Sequence, residues 1–222
     1  MVFKPSKSQF GRIGDSTIIE FPVYISWPKS LFLEDFLRIR QGTKFLISEN
    51  SSVTIKKFTV IGVNNMIIPN KHISTVGIPQ FILGASGIND VHNHIVIEED
   101  VWTGSNVTLI GNASLGRGCV CGACSVVTKP VPPYAVVAGS PARIVAVKFS
   151  IDQIIEHEKI LYQEKDRFCI EYLNELFETH YKNVRVFGVS TAFTENQIDK
   201  LRKCAEARGY YNEDFYERLS HV

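Results

Sequence analysis

Six histidines are the first residues of this 222-residue chain to which proton chemistry can be assigned. Imidazole has an unperturbed pKa close to neutrality, so a general base is sought there first. His157, His180 and His221 fall in a charged C-terminal tail and read as surface residues. His72, His92 and His94 flank an irregular stretch, residues 73–94, and are the ones placed for chemistry. The partner that would orient His72 is open: Asp90 in the stretch, Asp35 upstream and a backbone carbonyl all qualify. Cysteines form the second group, with Cys119, Cys121 and Cys124 close together. They invite a metal reading, but structural zinc prefers four ligands.

A six-residue beat positions these groups. Ile97, Thr103, Leu109, Leu115, Cys121 and Val127 mark one inward series, and Val101, Val107, Ala113, Cys119, Ser125 and Val131 a second, mostly small one. Gly104, Gly111, Gly116, Gly118 and Gly122 sit between them, where the chain must bend sharply and often at positive φ. A period of six is neither that of a helix nor of a lone strand. Short strands separated by turns explain it, as in β-helices. The beat starts at Ile13, Ile19 and Ile25, shifts phase near Pro28, and runs through Leu33, Ile39 and Phe45. It breaks at the polar run 48–52 and resumes at Ile55, Ile61 and Ile67, each shift marking an expected protruding turn. Cys119 and Cys121 are in phase with the interior and Cys124 with a turn, so the three thiols are not expected to converge.

Three segments make the pattern specific: Val101-Trp-Thr-Gly-Ser-Asn-Val107, Gly122-Ala-Cys-Ser-Val-Val-Thr-Lys129 and Val131-Pro-Pro-Tyr-Ala-Val-Val-Ala-Gly-Ser-Pro-Ala-Arg143. With them the chain resembles the hexapeptide-repeat acyltransferases, including bacterial sugar and polysaccharide O-acetyltransferases. The resemblance implies a left-handed parallel β-helix, against the usual right-handed crossover. It implies acetyl-CoA as acyl donor, no metal, and a homotrimer with active sites between subunits. It places the catalytic base at the junction of coil and loop, which here is His72. By the same resemblance Ser105 and Ala123 border the pantetheine arm, Gly104 and Gly122 keep the turns slim, and Trp102 lies near the active-site wall. Thr128 and Lys129 match the adenine-nucleotide end, and Arg143 a position near the 3′-phosphate. Thr103 and Cys121 depart from the family's usual aliphatic residues and are expected to weaken the core slightly.

The expected architecture is mainly β, with a β-helix domain over residues 1–149 and an α-helical extension over 150–222. Met1 to Phe10 reads as an arm or cap. The stretch 73–94 is too long for an ordinary connection and too apolar to be disordered, with Val76, Ile78, Phe81, Ile82, Leu83 and Ile88. It is expected to leave the prism and reach a neighbouring subunit. Ser150 to Gln153 and Thr194 to Gln197 are capping boxes that open amphipathic helices, the second ending near Gly209. The extension reads as a packing or oligomer-stabilising appendage, with a partner-docking element as the alternative the sequence leaves open. Residues 183–193 form a connector with room for one short extended piece.

A formal net charge of +1 and 45% apolar residues give no electrostatic reason to expect nucleic acid or membrane. With no long apolar span or leader, the chain reads as cytoplasmic. The function these readings favour is transfer of an acetyl group from acetyl-CoA to a hydroxyl, less readily an amine, of a sugar or polysaccharide precursor. Two alternatives stay open: a γ-class carbonic-anhydrase-like metalloenzyme using the three central histidines, and a non-catalytic trimeric scaffold.

Overall fold

The six-residue beat folds into a parallel β-helix with three faces. The structure is a computed structural model that describes residues 5–190 and 192–219. His221 and the first four residues of the expected N-terminal arm lie outside them. The chain divides into two compact units, Met1–Ile144 and Val145–Val222.

In the first unit the strands fall into three sheets that the chain visits in turn. One face stacks Arg12–Ile13, Leu31–Leu33, Ser52–Ile55 and His94–Ile97. Isolated bridges at Leu115 and Val131 extend it. The second face includes Ile18–Ile19, Arg38–Ile39, Val60–Ile61, Trp102–Thr103, Val120–Cys121 and Ala135–Gly139. The third holds Tyr24–Ile25, Lys44–Phe45, Met66–Ile68, Thr108–Ile110 and Val126–Val127. Pairing between successive coils is parallel, and the winding is the left-handed β-helix expected of the family.

Both inward series are buried along their whole length, from Ile97 and Val101 to Val127 and Val131. Leu33, Ile39, Phe45, Ile55, Ile61 and Ile67 are also buried, whereas Ile13, Ile19 and Ile25 in the first coil are only half-buried. Each enclosed aliphatic side chain contributes about 1.5–3 kcal/mol. The phase shift near Pro28 is a 3-10 turn, Pro28–Ser30, and the break at 48–52 is a tight turn closed by Ser51 N donating to Ser48 O.

The glycines divide by cause. Gly111 and Gly118 have positive φ, as expected, but Gly104, Gly116 and Gly122 do not. A Cβ on Gly104 would lie 2.7 Å from Ala123 N, and one on Gly116 2.5 Å from Pro133 N, so the next coil excludes a side chain there. The positive-φ corners fall instead to Asp100, Asn106, Cys124 and Tyr134. This keeps Cys124 on a turn and away from Cys119 and Cys121, which are buried.

The corner between the second and third faces is held by buried polar side chains. Asn65 Nδ2 donates to Gly62 O at 2.7 Å and Gly104 O at 3.1 Å, and its Oδ1 accepts from Val107 N at 2.7 Å. Thr103 Oγ1 accepts from Gly62 N and from Asn65 Nδ2, each at 3.1 Å. The hydroxyl expected to weaken the core therefore satisfies a backbone donor that an aliphatic residue would leave unpaired.

The second unit is helical. α1 belongs to the first unit (Gln80–Ser86); α2 (Ile151–Leu161), α3 (Ile170–His180), α4 (Glu195–Glu206) and α5 (Glu213–Leu219) belong here. Ser150 and Thr194 cap α2 and α4 through complete capping boxes, with Gln153 and Gln197 as reciprocal partners. The apolar stripe after Ser150 is split between two helices by a 3-10 turn, Glu164–Asp166. Buried Glu158 fixes that break by accepting from Phe168 N at 2.6 Å. The connector carries one extended contact, Val147 with Val186. α5 was not foreseen. Among the described residues no helix is long and apolar enough to cross a membrane.

Thr103→Val preserves shape and deletes the acceptor for Gly62 N–H. It is expected to destabilise the protein by about 1–3 kcal/mol, the usual cost of a buried donor left unmatched. Denaturant midpoints will show this, with Thr103→Ser losing less.

Candidate active site

The chain leaves the third face after Met66–Ile68 and returns to the first at His94–Ile97. Between them Asn70–Lys71 and Val91–His92 form a two-stranded antiparallel ribbon, with Asn70 opposite His92 and Lys71 opposite Val91. The ribbon fastens the root of the loop, so residues 73–94 are not one unbroken excursion. Beyond it the loop carries α1, whose Leu83 is fully buried. Val76 and Phe81 are exposed at 102% and 94%, and Ile73, Ile82 and Ile88 are exposed too.

His72 and Asp90 continue the ribbon by one step. His72 Nδ1 lies 2.8 Å from Asp90 Oδ1, so of the three possible orienting partners the ring takes Asp90. The Asp90 side chain is mostly enclosed, whereas that of His72 is 51% exposed. A carboxylate can only accept, so Nδ1 carries a proton, and in the neutral ring Nε2 then holds the lone pair. Asp35 is engaged elsewhere, accepting from Ser16 N at 3.1 Å.

The other central histidines meet hydroxyls. His92 Nδ1 is 3.4 Å from Ser48 Oγ, and His94 Nδ1 is 2.8 Å from Ser52 Oγ. Ser48 Oγ also donates to Asn70 Oδ1 at 3.3 Å. The three rings are thus tied to three different partners. Among the described residues no group of three or more His, Cys, Asp or Glu side chains converges in a way that could hold a metal ion. Sequence reasoning treated the polar run 48–52 only as a break in the beat. Its signal was a cluster of small hydroxyls where an inward aliphatic residue was due.

Of the residues matched to the coenzyme, Trp102 and Arg143 lie on the second face, Ser105 and Ala123 on turns that lead from it, and Thr128 and Lys129 just after the third-face strand Val126–Val127. Trp102 is 52% exposed, with Val60 and Val120 beside it in neighbouring coils. Ser105 and Ala123 are exposed on stacked turns joined by Cys124 N donating to Ser105 O at 2.9 Å. Thr128 is half-buried and Lys129 exposed. Arg143 is exposed on the strand Ala142–Val147, with Nη1 donating to Ala142 O at 2.9 Å. No hydrogen bond or ion pair among the described residues links these groups to His72. Lower on the same face Glu20 receives Arg38 and Arg40, both at 2.6 Å. Partial burial pushes its carboxyl up, but the two guanidiniums outweigh this and hold it below the usual range.

Comparison with known proteins agrees with this geometry. No protein-family model matches the chain. The galactoside O-acetyltransferase of Escherichia coli is 31% identical over 141 residues, covering 63% of this chain and 64% of that protein. A hexapeptide-repeat-containing acetyltransferase from Vibrio cholerae, complexed with acetyl coenzyme A, superposes with a TM-score of 0.57 at 26% identity. That match covers 65% of this chain and 74% of the other. In fold and in sequence the chain is similar to hexapeptide-repeat acetyltransferases. A maltose O-acetyltransferase from Clostridium difficile shares the fold, with a TM-score of 0.57 at 23% identity, covering 65% of this chain and 73% of its own. The chain spans less than two thirds of the length of the E. coli relative.

Two residues on from Trp102, the next coil leaves no room for a side chain at Gly104. Gly104→Ala forces a Cβ against Ala123 N and is expected to destabilise the prism by about 1–3 kcal/mol through overpacking. Calorimetry will show a lowered Tm, and Gly84→Ala, where a Cβ meets nothing within 4 Å, is the control.

Proposed function

We propose that the protein is an acetyl-CoA-dependent O-acetyltransferase that acts on a hydroxyl of a sugar or polysaccharide precursor, with His72 as general base. The observation that carries the reading is the His72–Asp90 pair, which sets an exposed imidazole in the tautomer able to accept a proton. Nε2 takes the proton of the acceptor hydroxyl as its oxygen attacks the thioester carbonyl. The carbon–sulfur bond then breaks, and the imidazolium returns the proton to the departing thiolate. Asp90 is a positioning residue that also steadies the imidazolium.

The donor is read from the outer second face across to the end of the third-face strand Val126–Val127. Ser105 and Ala123 offer main-chain groups to pantetheine, and Trp102 walls the thioester end. Thr128 and Lys129 serve the nucleotide end, where an ammonium offers a point charge to phosphate. The Arg143 guanidinium can pair two phosphate oxygens. The E. coli and C. difficile relatives are named for galactoside and maltose, which supports a saccharide acceptor.

The assembly proposed is a homotrimer. Large apolar side chains held in water point to an interaction surface, and Val76, Phe81, Ile82 and Ile88 are each exposed on the one loop. A cytoplasmic location follows from the donor, which is made there.

His72→Ala is expected to lower kcat by about two to four orders of magnitude, the usual worth of a positioned base. Coenzyme affinity should hold, and the pH–rate profile should lose its acidic limb; release of free coenzyme A thiol follows all of this. Asp90→Asn should lose less than His72→Ala. A His72→Ala enzyme with native kcat ends the reading.

Lys129→Ala and Arg143→Ala are each expected to weaken coenzyme A by about 1.5–3 kcal/mol if they form charge-assisted hydrogen bonds to phosphate. Titration calorimetry with coenzyme A and dephospho-coenzyme A separates the two positions. Only the Arg143 effect should vanish with the dephospho form.

A further inference from the structure

We propose that the ribbon face bearing His72 is a two-point acceptor site. His92 and Asn70 hold one hydroxyl of a polyhydroxyl acceptor while another hydroxyl of the same molecule reaches His72. The proposal rests on the acyltransferase reading and names residues that choose the acceptor.

The register supplies the arrangement. In an antiparallel pair, directly opposed residues share a face and successive pairs alternate. Asn70 opposes His92, Lys71 opposes Val91, and His72 meets Asp90 one step further on. Asn70, His92, His72 and Asp90 therefore lie on one side of the ribbon, with Lys71 and Val91 on the other. Side-chain contacts agree. Ser48 touches both Asn70 and His92, whereas Lys71 lies over Gly111, where a Cβ would come within 3 Å of its Cε and Nζ.

The hydrogen bonds also give the two imidazoles matching tautomers. Ser48 Oγ lies 3.3 Å from Asn70 Oδ1, 3.2 Å from Ser51 Oγ and 3.4 Å from His92 Nδ1. With its one proton given to Asn70 Oδ1, Ser48 Oγ accepts from His92 Nδ1–H, and the neutral His92 ring then keeps a lone pair on Nε2. Asp90 does the same to His72. Two ring nitrogens able to accept an O–H thus stand on diagonal positions of neighbouring strands, about 7–8 Å apart at the backbone. Asn70 Nδ2 adds a donor beside the second. A hydroxyl is both donor and acceptor, so it satisfies His92 and Asn70 together. The span suits two hydroxyls on one sugar ring, and a simple alcohol or amine reaching His72 would leave the second point empty.

The test uses native protein and the His92→Ala, Asn70→Ala and His92→Gln variants. Thiol release from acetyl-CoA is followed with methyl galactoside, maltose and glycerol against propan-1-ol as the single-hydroxyl probe. Native protein is expected to favour the polyols in kcat/KM by about tenfold or more, as two added hydrogen bonds allow. In His92→Ala and Asn70→Ala that preference should fall to within about twofold of unity, mainly through KM for the polyol. His92→Gln should regain part of it. Variants that lower transfer to polyols and propan-1-ol alike, keeping the ratio, overturn the proposal. So does a native enzyme without a polyol preference, including one that acylates none of the probes. If thiol release is also insensitive to His72→Ala, the acyltransferase reading fails with it. A His72-dependent release without polyol preference sinks the two-point site alone.

Discussion

Everything in the prism depends on coils lying flat upon one another at the strand spacing, about 4.7–4.9 Å. Parallel pairing at that distance allows each inward side chain to touch its counterparts above and below, and each repeat is stable only through its neighbours. The rule sets both the aliphatic columns and the polar corner. Asn65 stands where a turn of one coil meets the turn of the next, and it bonds to Gly62, Gly104 and Val107 at once. Thr103 completes the corner from the adjoining strand. A buried amide with its donors and acceptors matched fixes the alignment of coils more narrowly than an interchangeable aliphatic contact does.

The same rule explains where chemistry sits. Outward positions on a packed prism are rigid and shallow, which suits the extended donor proposed to lie there. Proton transfer needs a concave, oriented group, and a flat coil cannot supply one. The chain gains that group by stepping out of the stack at Asn70 and returning at His92, so that His72 and Asp90 face each other across the gap. In the proposed mechanism His72 supplies the lone pair, and Asp90 supplies direction.

Much of this was legible in the sequence because a period of six survives in residue types: Ile97 to Val127 and Val101 to Val131 are buried in the phase read from the chain. His72 could be singled out because it closes the last regular hexad before the loop. Its partner could not, since the Asp90 contact depends on a ribbon of two residues per strand, too short to leave a pattern. Ser48 and Ser52 were missed because small hydroxyls at a phase break look like loop composition until their neighbours are known. Gly116 could not be told from a positive-φ corner because a residue without a Cβ suits positive φ and close approach equally. Only the height of the coil above tells them apart. Thr103 was misjudged for a related reason, since its acceptor duty towards Gly62 belongs to another coil.

The ribbon at the loop root has a consequence for how such a chain can diversify. Because Asn70–Lys71 and Val91–His92 clasp each other, whatever lies between Ile73 and Asn89 is hung from a closed hinge rather than woven into the stack. Its length, its helix and its exposed Val76 and Phe81 can be exchanged as a cassette without moving a coil. His72 and Asp90 stand at the mouth of that cassette, on the fixed side. Inheritance can therefore rewrite what approaches the imidazole while leaving the imidazole where it is.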